Sequence, residues 1–190
     1  MKKLALVTLL GLSAALPLTG CVPVVATGAA VGVLVAEDRR SSGVYLTDEE
    51  NELKAGHRLR DAGIQAVHAN FTSYNKRLLI TGEAPTEALK TKVGDIAKGV
   101  EGVREVFNEL AIAAPTGIGS RSNDGYITAK VKTRLFDDDR INGNHVKVVT
   151  ENSVVYLMGL LKRDEGKVAA EIAARTSGVT KVVKVFEYLD

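Results

Sequence analysis

The strongest constraint on the fold is an internal repeat. When the sequence is aligned with itself, it gives one clear match, at an offset of 77 residues, which pairs Asp61 with Asp138. His68 then aligns with His145, and Gly82 aligns with Gly159. The paired segments are 61–82 with 138–159, without a gap, and 93–110 with 169–186 after a shift of one residue. The period exceeds the roughly 20 to 50 residues of solenoid repeats. We therefore predict two copies of one small domain.

The first helix of each copy is predicted from its apolar spacing and its start signal. In the second copy, Ile127, Val131 and Leu135 recur every four residues and predict one buried stripe along a helix that ends near Phe136. The preceding Ser122-Asn123-Asp124 offers N-caps. In the first copy, Thr47-Asp48-Glu49-Glu50 has the form of a capping box.

Each copy continues with the pattern of a hairpin, a second helix and a last strand. In the second copy, β-branched and aromatic runs flank Glu151-Asn152-Ser153, and Thr176-Ser177-Gly178 ends the second helix. A strand-helix-strand crossover normally closes right-handed with parallel strands. We therefore predict an α+β fold in which each domain has a three-stranded mixed sheet with two helices on one face.

The predicted boundaries place the first domain at 46–113, a linker at 114–121 and the second domain at 122–190. Domains of about 65 residues bury only about 60% of their unfolded surface and are marginally stable alone. We therefore expect the two copies to pack together, or to be restrained by the linker.

The N-terminus has the layout of a secretory signal, with Met1-Lys2-Lys3 followed by an apolar run, 4–16, too short to span a bilayer. The only cysteine, Cys21, follows Leu18-Thr19-Gly20, and this tetrapeptide resembles the lipobox of bacterial lipoproteins. The resemblance implies that residues 1–20 are removed, that Cys21 is lipidated, and that 21–45 form a tether. Several acyl chains make such an anchor stable.

Two further features bear on location and partners. Val22 stands where Asp commonly retains such lipoproteins in the inner membrane, so the resemblance implies the outer membrane, on its periplasmic side or at the cell surface. The full chain has a net charge of +2. Removing residues 1–20 takes away Lys2 and Lys3 but no acidic residue, so the remaining chain is neutral. Nucleic-acid binding requires a dense basic patch. Neither copy carries one, so we expect no nucleic-acid partner, whereas an anionic membrane surface is compatible with this charge.

The residues give little support for catalysis, a cofactor or a metal site. Since His68 and His145 occupy the same position in the two copies, we interpret them as structural, and no His-x3-His spacing supports zinc. The run Asp137-Asp138-Asp139 lacks the glycine-bearing loop of a calcium site and is expected to be a solvated turn. We therefore expect a protein that is not an enzyme.

The chain resembles the BON domain family, in particular its outer-membrane lipoproteins with two BON domains. The resemblance rests on the hairpins, on Gly82 and Gly159 closing their second strands, and on Gly-Val pairs opening the last strands at 102–103 and 178–179. It implies phospholipid binding by the second domain and a role in outer-membrane integrity. The alternative is a protein-binding scaffold or accessory factor for outer-membrane protein assembly.

The candidate lipid site is the first helix of the second copy. If its apolar stripe faces the core, Tyr126 and the cations Lys130 and Arg134 lie along the flank and outer surface. A tyrosine there suits the headgroup level, and lysine and arginine can extend to phosphates. An ordinary amphipathic helix, with its tyrosine packed on the linker, is the alternative. The predicted phospholipid-binding residues are Gly119, Ser120, Gly125, Tyr126, Ile127, Thr128, Lys130, Thr133 and Arg134.

Overall fold

The computed structural model describes residues 38–115 and 117–190. Cys21, the predicted signal peptide and most of the predicted tether lie outside these residues. The first domain comprises α1 (Ser42–Asp61), β1 (His68–Tyr74), β2 (Arg77–Ala84), α2 (Glu87–Lys98), β3 (Glu105–Asn108) and β4 (Ala111–Ile112). The second comprises α3 (Ile118–Phe136), a short 3-10 helix (Gly143–His145), β5 (Val146–Glu151), β6 (Val154–Leu161), α4 (Arg163–Ala174) and β7 (Lys181–Tyr188).

Each domain is built on the predicted mixed sheet. In the first domain β2 pairs antiparallel with β1 and parallel with β3 and β4, so the predicted third strand is present in two pieces. In the second domain β6 pairs antiparallel with β5 and parallel with β7. This confirms the α+β fold and its order of elements. Helix α3 begins at Ile118, inside the segment 114–121 that the sequence had assigned to a linker.

One face of each sheet carries both helices of its domain. The predicted stripe of Ile127, Val131 and Leu135 is at most 1% exposed and packs with α4 and the second sheet. In the first domain, Ala55 and Leu59 of α1 join the equivalent core. Burial of such side chains contributes about 1.5 to 3 kcal/mol each, so the helices are held on the sheets mainly by this face.

The opposite faces of the two sheets pack against each other. Tyr74 and Leu79 of the first sheet form one buried cluster with side chains of the second sheet, among them Tyr156, Met158 and Val185. The protein therefore has four layers, with the helices outside and the two sheets face to face in the middle. The expectation that the copies pack together is confirmed.

Polar contacts surround this apolar interface. Lys147 Nζ lies 2.9 Å from Glu52 Oε1, and Asn75 Nδ2 donates to Glu187 Oε2 at 2.8 Å. Arg39, in the segment that precedes α1, donates from both terminal nitrogens to Glu165 at 2.7 Å. The start of the described chain is thus bound to the second domain, although in sequence it directly precedes the first.

The two hairpin turns are held by buried aspartates, which corrects the predicted helix starts. Both central residues of each turn have positive φ, between 48° and 63°, as in a type I′ turn. In the first domain, Asp48 accepts hydrogen bonds from the backbone N–H groups of Asn75 and Lys76, both at 2.7 Å. Asp124 accepts the equivalent bonds in the second domain, from 152 and 153, at 2.8 Å.

The N-caps predicted at 47–50 and 122–124 are therefore wrong, because these acidic side chains bind another part of the fold. Helix α1 begins at Ser42, after Ser41, whose hydroxyl accepts a hydrogen bond from the Val44 N–H. Asp48 and Asp124 lie inside their helices and point to the hairpins. Since they correspond to each other, residues of α1 and α3 align at an offset of 76.

Candidate functional site

Helix α3 lies in an outer layer and exposes one flank to solvent. Tyr126 is 64% exposed, whereas the adjacent Ile127 is 0% exposed. The core holds Ile127 in place, and its side chain does not reach the surface. The predicted inclusion of Ile127 among the lipid-contacting residues is therefore corrected, because its role is to seat the helix.

A groove of about 460 Å³ lies between α3 and the turn that follows α4. On the α3 side, Lys130 Nζ lies 4.6 Å from the centre of the Tyr126 ring, in cation–π geometry. On the other side are the side chains of the turn. The groove is lined by Tyr126, Ala129, Lys130, Thr133, Arg134, Arg175, Thr176 and Ser177.

The two cations of α3 are positioned by the carboxyl end of α4. Lys130 Nζ donates to the Ser177 carbonyl at 2.5 Å and to the Ser177 hydroxyl at 3.0 Å. Arg134 donates to the Arg175 carbonyl at 2.7 Å. Helix ends leave carbonyls without helical partners, and cations are favoured there. These contacts fix both side chains at the groove while their charges stay close to solvent.

The groove is a positively charged concavity. Three of its eight lining residues are Lys or Arg, and no carboxylate lines it among the residues that the structure describes. Arg175 makes an ion pair with Glu171 at 2.9 Å, one turn back on α4. An anion entering the groove would therefore meet the Ser177 hydroxyl and the charges of Lys130 and Arg134, because the hydroxyls of Thr133 and Thr176 donate to carbonyls of α3 and α4.

The remaining predicted residues do not join this surface. Thr128 Oγ1 is hydrogen-bonded to Thr150 Oγ1 at 2.7 Å, and with Gly125 it lines a different groove, beside β5. Gly119 is exposed and Ser120 is half-buried, both in the first turn of α3. The structure thus brings together four of the nine predicted residues, which are Tyr126, Lys130, Thr133 and Arg134.

The turn 175–177 was not predicted as part of the site. The overlapping sequence Thr176-Ser177-Gly178 indicates the end of a helix, and that prediction is consistent with α4 ending at Ala174. The sequence pattern does not show which element the helix end faces. The packing of α4 beside α3 supplies that information.

The first domain has the same scaffold with a different surface. At the offset of 76, Glu50 corresponds to Tyr126, Lys54 to Lys130 and Arg58 to Arg134. Arg58 donates to the carbonyl of Gly99 near the end of α2, as Arg134 does near the end of α4. Lys54, however, pairs with the Glu50 carboxylate at 2.9 Å. The first domain therefore presents a negative charge where the second presents an aromatic ring.

In the aspartate run after α3, the Asp138 carboxylate is hydrogen-bonded within its own turn. Asp138 accepts hydrogen bonds from the Arg140 guanidinium at 2.9 and 2.7 Å and from the Arg140 N–H at 3.0 Å. Hydrogen bonding to Arg140 lowers the pKa of Asp138 to about 2. These contacts favour the solvated turn over a cation site at 137–139.

Comparison with known proteins agrees with this architecture. The profile of the BON domain matches residues 47–114 and 123–190. The chain belongs to the BON domain family.

Three relatives extend the likeness across both BON domains. "Outer membrane lipoprotein DolP" of Haemophilus influenzae is 41% identical over 192 residues, which cover 100% of this chain and 97% of that protein. The "21 kDa hemolysin" of Actinobacillus pleuropneumoniae is 36% identical over 154 residues, 80% of this chain and 79% of that protein. "Osmotically-inducible protein Y" of Escherichia coli is 28% identical over 161 residues, 83% of this chain and 80% of that protein.

Proposed function

We propose that this protein is a lipoprotein, anchored at the outer membrane through Cys21, whose second BON domain binds anionic phospholipid and so supports membrane integrity. The full-length likeness to an outer-membrane lipoprotein supports the location. Within the described residues, no helix is both long and apolar enough to serve as a membrane span. The periplasmic side of the membrane is part of the proposal, and the proposed role is binding, without a chemical reaction.

The observation that carries the lipid-binding proposal is the pairing of an exposed tyrosine with fixed cations. Tyr126 is 64% exposed and contacts Lys130, and Arg134 lies one turn further along the same flank. Aromatic rings favour the headgroup region, where one side is apolar and the other wet. Each nearby Lys or Arg adds about 1 kcal/mol of attraction to an anionic surface.

The position of the tether is compatible with this arrangement. Asp38, where the described chain begins, lines a groove together with Lys132 and Phe136 of α3. Phe136 is itself 58% exposed. An anchor that joins the body there brings α3 close to the membrane, so the binding groove needs only weak affinity of its own once the anchor is inserted.

The test is co-sedimentation of the purified protein with vesicles of phosphatidylcholine alone or mixed with phosphatidylglycerol. Because the anchor itself inserts into lipid, binding is compared in the mature chain, residues 21–190, that carries Cys21→Ala. We expect binding that needs phosphatidylglycerol and weakens as salt rises, since screening reduces surface attraction. Tyr126→Glu should weaken the partition about tenfold or more, because it removes the ring and adds a repelled charge.

The first domain provides matched controls. Leu53 of α1 is 65% exposed, as Tyr126 is on α3, so Leu53→Glu should leave binding unchanged. Glu50→Tyr should add binding to the first domain, because it places a ring beside Lys54 as in the second. Binding that ignores lipid charge, or that falls equally in Leu53→Glu and Tyr126→Glu, contradicts the proposal.

A protein-binding scaffold is the second candidate. The two sheets cover each other and the helices cover their outer faces, which leaves the edge strands, such as β1 and β5, for strand pairing with a partner. Crosslinking in cells from positions on β1, compared with positions on α3, separates the two roles. A protein adduct confined to β1 with no lipid adduct on α3 favours the scaffold.

A further inference from the structure

Three ligand-type side chains meet at one end of the interface between the sheets. His68 and Glu83 are cross-strand neighbours in β1 and β2. By the alternation of side chains along a strand, they share the face of Tyr74 and Leu79, which packs on the second domain. Glu151, the last residue of β5, comes from the second domain. One nitrogen or oxygen atom from each of the three side chains lies within 4.8 Å of the other two.

These groups are buried without the partners that a protein usually provides. Glu83 is 1% exposed, and neither of its carboxylate oxygens has a hydrogen-bond partner among the described residues. The Nε2 atom of His68 is also buried and unpartnered in that part of the chain. A buried carboxylate without a donor is strongly unfavourable, and a second carboxylate beside it adds repulsion. A positive ion at the centre of the three residues would satisfy all of them.

We propose that His68, Glu83 and Glu151 bind a divalent transition-metal ion, for which Zn²⁺ is the best fit, and that this ion joins the two domains. One imidazole nitrogen and two carboxylate oxygens form a ligand set that zinc accepts, with a fourth position for water. Magnesium and calcium prefer oxygen ligands alone and fit this set less well. Small side-chain movements bring the ligand atoms from their present separation to zinc-binding distances.

The surroundings of the cluster support a built site. Asn70 Nδ2 donates to Glu151 Oε2 at 2.9 Å and orients that carboxylate, as outer-shell residues commonly do around metals. A groove of about 400 Å³, lined by His68, Asn70 and Glu151 among others, gives an access route from solvent.

The duplicated sequence gives an internal comparison. At the offset of 77, His145 corresponds to His68, but Leu160 stands where the first domain has Glu83. The second domain therefore has the histidine without its carboxylate neighbour on the next strand. This difference makes His145 a matched control for His68 and separates the proposed site from general features of the fold.

Calorimetric titration of zinc into the EDTA-treated full-length protein tests the proposal. We expect one site per chain for Zn²⁺ and none of comparable affinity for Mg²⁺. His68→Gln and Glu83→Gln should abolish it, His145→Gln should retain it, and Asn70→Ala should weaken it about tenfold. A crystal of the zinc-bound protein should give one anomalous peak at the zinc edge between His68 and Glu151, a readout that needs no variant.

Thermal unfolding distinguishes a metal from simple protonation of the carboxylates. With zinc, the unfolding temperature of the wild type should rise and that of Glu83→Gln should stay constant, because ligand binding stabilises only a protein that has the site. In EDTA, Glu83→Gln should unfold at the same temperature as the wild type or higher, since it buries no unpaired charge. Zinc that binds equally to Glu83→Gln, or an anomalous peak only at Cys21 or His57, overturns the proposal. A wild type that gains no stability from zinc also overturns it.

Discussion

Removal of the Asp124 carboxylate should destabilise the second domain, because this side chain connects α3 to the β5–β6 turn. Asp124 is 5% exposed and accepts two backbone hydrogen bonds, from Asn152 and Ser153, both at 2.8 Å. A hydrogen bond to a charged group contributes about 1.5 to 3 kcal/mol. Asn152 is exposed and Ser153 half-buried, so water replaces part of the loss. We expect Asp124→Ala to lower the free energy of unfolding by about 2 to 4 kcal/mol.

Urea unfolding followed by circular dichroism measures this change, with the slope of the transition reported beside its midpoint. Asp124→Asn keeps one acceptor oxygen and should lose less than Asp124→Ala. Asp48→Ala should lose more, since Asp48 also accepts hydrogen bonds from buried Arg40 at 2.8 Å and from the Ser73 hydroxyl at 2.7 Å. Asp139→Ala, at an exposed position after α3, should stay within about 0.5 kcal/mol of wild type. If Asp124→Ala and Asp139→Ala unfold alike, the assigned role of the buried aspartates is refuted.

Two further predictions follow from the fold. Gly82 has φ of 120°, and a Cβ added there would lie 2.1 Å from the His68 carbonyl oxygen. Gly82→Ala should therefore lower the free energy of unfolding, measured in urea, by about 3 kcal/mol or more. Gly43→Ala should leave it unchanged, because a Cβ at Gly43 would have nothing within 4 Å. Burial raises the pKa of Tyr74 and of Tyr156 from 10.0 to about 12, so their contribution to stability is complete below pH 10 and is lost as pH rises towards 12. Replacing both tyrosines by Phe should move alkaline unfolding, followed by circular dichroism, to higher pH, and an unchanged midpoint would contradict this assignment.

The sequence was sufficient to predict the elements and their order, because duplication and apolar spacing act through local geometry. The stripe of Ile127, Val131 and Leu135 had a period that only a helix buries on one side. The starts of α1 and α3 were predicted wrongly, since an acidic residue ahead of an apolar stripe has the same pattern whether it caps its own helix or a distant turn. Only the tertiary structure shows that Asp48 and Asp124 bind hairpin amides.

The candidate site was predicted in part for the same reason. Helical periodicity was enough to place Tyr126 and its cations on one flank, but not to show that the end of α4 forms the other wall of the groove. The cluster of His68, Glu83 and Glu151 could not be predicted from spacing, because its members come from two domains and meet only when the sheets pack. Contacts between copies of a duplicated domain leave no periodic signal in the sequence.

In the proposed function, the divergence of the two domains at one equivalent position is the central feature. Glu50 and Tyr126 occupy the same place on the same scaffold, each beside a lysine, with opposite consequences for an anionic surface. We therefore propose that one scaffold keeps the first domain away from the headgroups while the second domain approaches them.

Paramagnetic broadening of backbone amide signals measures which domain approaches the headgroups, with the ¹⁵N-labelled full-length protein on phosphatidylglycerol nanodiscs that contain a headgroup-labelled lipid. We expect the strongest broadening along 126–134 and 175–177, with the signals of α1 preserved, and loss of this pattern in Tyr126→Glu. Broadening that is strongest on α1, or equal on the two domains, would show that the second domain is not the one that meets the headgroups.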